Sequence, residues 1–168
     1  IKHVSLPKTL RIVGNGAFES CHNLQKINLP ETVDSIGGDA FYYCTSLKSI
    51  TIPSKVKVLG TRSISQCSNL EEINLSEGLV TILKEALANN NKLIRLNIPS
   101  TVTYIGDYAL YASSSLYMLK VNAKSNPTLG QNVFSSCGNL HIIYVPEGCA
   151  SNYRNAEIWK NYVIAPGN

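Results

Sequence analysis

Five cysteines, three histidines and eleven acidic residues are the side chains of this 168-residue chain that could carry nucleophilic, metal or acid–base chemistry. Their spacing supports none of the three. Cys21, Cys44 and Cys67 recur every 23 residues, and Cys137 falls at the same place in a later unit, so they form a ladder and no C-x-x-C pair. No histidine follows at ligand spacing, which leaves a zinc site without support. Thiols stacked in neighbouring layers, about 5 Å apart along a sheet, come near disulfide distance, but a bond also needs matching Cβ directions. The reading is buried, free thiols acting as small apolar groups. Cys149 lies outside the ladder and is the thiol expected to react. His3, His22 and His141 occupy unlike positions and should not converge. Serines lack an evident base, and there is no G-x-S-x-G elbow. No acidic pair suits glycoside hydrolysis, and the glycines do not spell a phosphate loop. No catalytic, cofactor-binding or metal residue is assigned, and the chain reads as non-enzymatic.

The elements that position these residues are set by an internal repeat. Leu6, Leu29, Ile52, Leu75, Ile98 and Val121 are each 23 residues apart, and Val145 follows after 24. A fixed period in this range signals a solenoid, in which neighbouring units bury what one unit alone cannot. Leu24, Leu47, Leu70, Leu93, Leu116 and Leu140 form one apolar column; Ile27, Ile50, Ile73, Leu96, Leu119 and Ile143 form another. With the register residue they spell L-x-x-I-x-[LI], as in "LQKINLP" and "LKSITIP". The alternating end reads as a strand with Ile27 and Leu29 inward and Lys26 and Asn28 outward. Val33, Val56, Leu79 and Val102 with Ile36, Leu59, Ile82 and Ile105 supply a return path, followed by Gly37, Gly60 and Gly106 at a bend. "GDAFYYC" then reads as a short helical turn with Ala40 and Phe41 toward the core. The expected architecture is an α/β solenoid of about six 23-residue repeats, with short parallel strands on one face and short helical turns on the other.

Some units depart from the pattern. Ser63-Ile64 stands where others have Ala-Phe; in the fourth repeat Ser76 replaces proline, Leu83 glycine and Asn90 cysteine. The sixth should loop more widely near Asn126-Pro127. Residues 1–144 read as the solenoid and 145–168 as a C-terminal capping segment, in which Tyr153, Ile158, Trp159 and Tyr162 have helix-like spacing and should cover the last coil. The opening "IKHVSLPKTL" falls in mid-repeat, so the chain is expected to be part of a longer protein.

The motif "LPETVDSIGGDAFYYCTSLKSI", with its further copies, resembles the BspA-like, or Treponema pallidum-type, leucine-rich repeat over residues 1 to about 144. The tail resembles the Val-Pro-x-Gly…Tyr…Trp…Tyr segment that follows many such repeats. The resemblance implies a leucine-rich repeat solenoid of an extracellular or cell-surface protein, common in host-associated bacteria such as Bacteroides and treponemes. It also implies an adhesin-like role, binding extracellular matrix or bacterial surface proteins.

Composition fits that expectation. Hydrophobic residues make up 44% of the chain, and the net charge of +4 is scattered, so neither disorder nor nucleic-acid binding is supported. No apolar run reaches the roughly 20 residues that span a bilayer, so direct membrane insertion is not expected. The candidate partner-binding face is the outward strand side. One column is Lys26, Ser49, Glu72, Arg95, Met118 and Ile142; its neighbour is Asn28, Thr51, Asn74, Asn97, Lys120 and Tyr144. The amides could simply satisfy one another between strands, whereas Met118, Ile142 and Tyr144 beside Lys120 read as an anchor. Nine tyrosines suit protein or sugar contact. A carbohydrate- or cell-wall-binding targeting module and a structural stalk remain the alternatives.

Overall fold

The computed structural model describes residues 2–167. Each coil contributes two short strands: β1 (His3–Val4) and β2 (Ile12–Val13), β3 (Lys26–Ile27) and β4 (Ser35–Ile36), β5 (Ser49–Ile52) and β6 (Val58–Leu59). The series continues with β7 (Glu72–Leu75) and β8 (Thr81–Ile82), β9 (Arg95–Ile98) and β10 (Tyr104–Ile105), β11 (Met118–Val121) and β12 (Thr128–Leu129), then β13 (Ile142–Val145). A helix α1 (Ala150–Arg154), a 3-10 turn (Ile158–Asn161) and β14 (Val163–Pro166) complete the chain. All pairing is parallel. The even strands β2 to β12 form one six-stranded sheet, whereas the other strand side divides into β1-β3-β5-β7 and β9-β11-β13-β14. This is the leucine-rich solenoid anticipated from the repeat, with one core running its length.

The strand alternation holds. Ile50, Ile52, Leu96, Ile98, Leu119 and Val121 are buried, while Thr51, Arg95 and Asn97 face solvent. The third side of each coil, read from sequence as a short helical turn, is a run of i→i+3 turns with no regular helix. Tyr42 N–H and Cys44 N–H donate within the coil, to Asp39 and Phe41 carbonyls. The alternate N–H groups of Asp39, Phe41 and Tyr43 donate instead to Thr61, Ser63 and Ser65 of the next coil, at 2.7–3.1 Å. A continuous helix would keep these bonds to itself and leave the neighbouring carbonyls without donors. The cost is left-handed backbone at non-glycine residues, including Asp39 (φ 56°) and Tyr43 (φ 60°). Ala40 and Phe41 point into the core as expected. Gly60 is required by close approach, not by backbone angle: a Cβ there would lie 2.6 Å from the Gly37 carbonyl carbon.

The cysteine column is a column of hydrogen-bond donors. The thiols of Cys44, Cys67 and Cys137 donate to the carbonyls of Phe18, Phe41 and Leu110 in the preceding coil, at 3.0–3.2 Å. Asn90 and Ser113 occupy the same column and do the same, to Ile64 (2.9 Å) and Leu87 (3.4 Å). Asn90 also accepts from Cys67 N–H at 3.1 Å, and all of its polar atoms are used although it is fully buried. Cysteine is therefore replaced where another small donor reaches the equivalent carbonyl.

The C-terminal segment is two short helical pieces, not one helix, and it adds a strand that no repeat pattern announced. Tyr153 and Trp159 are buried against one another, 5.1 Å between ring centroids. The Tyr153 hydroxyl donates to Ala123 O (2.6 Å) and the Trp159 indole to Pro127 O (3.1 Å), so they pin the irregular 122–127 stretch of the sixth repeat. β14 then pairs with β13 along its full length.

Two stability results follow. The Ser63 hydroxyl is buried with no partner. Ser63→Ala, matching Ala40 and Ala86 one coil away, should raise stability by about 1 kcal/mol in urea unfolding. Asn90→Ala should cost about 1–3 kcal/mol for each backbone group it orphans, and Asn90→Cys should cost clearly less because the donor is restored.

Candidate binding face

The residues able to do chemistry lie apart. His22 is edge-on to Tyr43, His3 is in β1 and His141 precedes β13. Among the described residues no three His, Cys, Asp or Glu side chains gather as a metal-ligand set. The cysteines are unbridged. Burial is the main cause that pushes the Cys44 thiol up to about 12 and the Cys137 thiol up to about 11, and it raises Cys67 as well. A raised thiol pKa keeps the neutral, donating form that the column needs. Cys21 and Cys149 are only half-buried. With iodoacetamide and peptide mapping, Cys21 and Cys149 should be alkylated in the native protein, and Cys44, Cys67 and Cys137 only in denaturant. The unfolded thiols ionise near their ordinary value of 9.0 while the folded Cys44 holds its proton to about 12. The stabilisation from Cys44 is therefore complete below about pH 9 and is lost as pH rises from there toward 12.

The outward strand residues are set side by side by register. Lys26 faces Ser49, Ser49 faces Glu72, and Thr51 faces Asn74. Beyond β9, Arg95, Met118, Ile142 and Val163 form one row, and Asn97, Lys120, Tyr144 and Ala165 the next. Asn28 lies immediately after β3. Lys26, Asn28, Thr51, Glu72, Asn74, Arg95 and Asn97 are exposed, whereas Ser49, Met118, Lys120, Ile142 and Tyr144 are half-buried. The amide-and-charge half of the face is thus the open half. It holds two depressions, one of ≈ 330 Å³ from Lys26 to Asn74 and one of ≈ 530 Å³ between β7 and β9, and the two meet at Glu72 and Asn74.

The second depression lies where strand pairing lapses. Where Ser76, Asn122 or Gly167 follows a strand, its N–H donates to the carbonyl of Ile52, Ile98 or Val145 in the coil before, and the strands pair along their full length. Where Pro53 or Pro146 follows, pairing shortens. Pro99 follows β9, and no residue of β9 is in ladder register with β7. The coils stay joined on the other side through β8 and β10, and by Glu77, whose carboxylate accepts from Ser100 N–H and Oγ at 3.0 and 2.8 Å. The result is a cleft walled by Glu71, Glu72 and Asn74 on one side and Ile94, Arg95 and Asn97 on the other.

Sequence reasoning missed three exposed apolar residues on this side, Ile94 (55%), Tyr117 (54%) and Val163 (62%). Ile94 and Tyr117 share a column that is otherwise Lys2, Gln25, Lys48, Glu71 and His141, so an apolar outlier in a polar column was the available signal. Val163 left none, because β14 has no repeat pattern.

Comparison with known proteins agrees with this architecture. Six copies of a BspA type leucine rich repeat region match residues 1–117 and 80–157. Compared with curated proteins, the sequence has no significant match. A leucine rich cell surface protein from Faecalibacterium prausnitzii A2-165 superposes with a TM-score of 0.69 at 22% identity, covering 82% of this chain and 45% of that one. The Treponema pallidum leucine rich repeat protein superposes with a TM-score of 0.63 at 21% identity, covering 98% and 69%. A leucine-rich repeat protein from Bacteroides ovatus ATCC 8483 gives 0.55 at 21%, covering 100% and 54%. This chain therefore spans about half the length of the Faecalibacterium and Bacteroides structures. At these identities the superpositions speak to the fold alone; the repeat match covers most of the sequence, and the chain belongs to the BspA-type leucine-rich repeat family.

Proposed function

We propose that this chain is a non-enzymatic recognition module of a secreted or cell-surface bacterial protein, adhesin-like, which binds a protein partner along its outward strand face. The observation that carries the reading is the set of exposed side chains Asn28, Thr51, Asn74 and Asn97, flanked by exposed Lys26, Glu72 and Arg95 and lined by two adjoining depressions. A rigid parallel array with side chains at fixed spacing presents many weak contacts with little ordering cost. The surface location draws on the family and on the Faecalibacterium cell surface protein that shares the fold. No helix among the described residues is long and apolar enough to cross a membrane. Residues 145–168 are assigned as the cap that covers the last coil of the 1–144 solenoid, a role supported by the burial of Tyr153 and Trp159.

The test is surface binding of the purified chain to immobilised fibronectin, fibrinogen and epithelial cell-surface proteins. Saturable binding should fall about tenfold or more in Asn74→Lys/Arg95→Glu, whose exposed positions allow the change without unfolding. Retention of full affinity in that variant would remove the strand face from the reading. Absence of binding to any protein in the panel would favour a structural spacer.

A further inference from the structure

A second candidate site lies on the turn side, away from the strand face. Tyr108 and Tyr111 stand edge-on, 5.7 Å between centroids at 80°. With Glu85 and Asn89 of the preceding coil they line a cleft of ≈ 280 Å³. Its walls are fixed by the inter-coil bonds of the turn run, Glu85 N–H to Asp107 O (2.9 Å) and Asn89 N–H to Tyr111 O (2.7 Å). The Tyr108 hydroxyl accepts from the Asn132 amide at 3.0 Å, which sets that ring. Tyr111 is 37% exposed.

We propose that this cleft is a saccharide subsite that receives one pyranose ring of a glycan. A sugar ring offers an apolar C–H face and an edge of hydroxyls that both donate and accept. The lining residues supply both kinds of group: tyrosine rings for the first, and for the second Glu85, whose side chain accepts, and Asn89, whose side chain donates and accepts. Its volume falls just under the range of about 300–1,000 Å³ for drug-sized ligands, which suits a single ring. A cation is the competing occupant, and Lys84 argues against it, because its Nζ lies 3.7 Å from Glu85 Oε1 and partly neutralises the carboxylate. An apolar ligand would strand the carboxylate and amide without partners. Tyr42, at the equivalent position three coils earlier, has its ring occupied. The Arg62 guanidinium sits over its ring, 5.2 Å from the centroid, and is held there by Asp39 at 2.8 Å. One tyrosine of the column is therefore already covered and the other open.

The experiment is an NMR titration of the chain with trisaccharides of glucose, N-acetylglucosamine, galactose and mannose, with a lysine-rich peptide as a parallel arm. At least one sugar should give saturable shifts centred on Asn89, Tyr108 and Tyr111. Tyr111→Ala and Glu85→Gln, each checked for an unchanged melting temperature, should weaken it about tenfold or more. Tyr42→Ala, and the strand-face variant Asn74→Lys/Arg95→Glu, should leave it unchanged, so this site and the protein-binding face stand or fall separately. The proposal is overturned if no sugar saturates, if Tyr111→Ala binds sugar as well as the parent, or if the peptide alone occupies these residues.

Discussion

Buried backbone N–H and C=O groups that a coil leaves unpaired need partners in the coil beside it, and in this protein that requirement recurs about every 23 residues. The core explains why leucine and isoleucine columns exist, but the inter-coil bonds explain the turn side, the left-handed residues at Asp39 and Tyr43, and the small donor at the cysteine position. The requirement also explains what the pattern tolerates. Asn90 and Ser113 replace cysteine because each reaches the same carbonyl, whereas Ser63 in an alanine column finds no partner.

The same requirement shapes the surface. A proline after a strand removes one donor and the ladder shortens; between β7 and β9 the ladder is interrupted altogether. The strand face is therefore not a uniform sheet. It opens where the exposed side chains are Glu, Asn and Arg, and it is tighter where Met118, Ile142 and Tyr144 pack half-buried beside β14. The anchor read from the outward columns is consequently the less accessible half, and the polar half, which could have been mere mutual satisfaction, is the open one. Within β7 the Asn74 amide donates to the Glu72 carboxylate at 2.9 Å.

Polar side chains also hold the end of the stack. Tyr153 and Trp159 bring large apolar bodies to the last coil, and their hydroxyl and indole N–H bond the carbonyls of the one repeat whose first half is irregular. Burial that suppresses thiol ionisation at Cys44 and Cys137 belongs to the same logic, since a thiolate could no longer donate. The ladder that first suggested metal or redox chemistry is structural throughout its buried members.

The sequence by itself determined the period, the inward columns and hence the solenoid, because a repeat of fixed length forces equivalent residues into one stack. It also determined which columns face outward, since strand alternation leaves no choice once one face is buried. It could not decide whether the "GDAFYYC" segments would be helical, because that depends on carbonyls one coil away and not on local propensity. Nor could it reveal β14, the Tyr108–Tyr111 cleft or the opening between β7 and β9. Each is made by residues of different coils whose separation is set by hydrogen bonds across the stack, and that separation exists only once the coils are assembled.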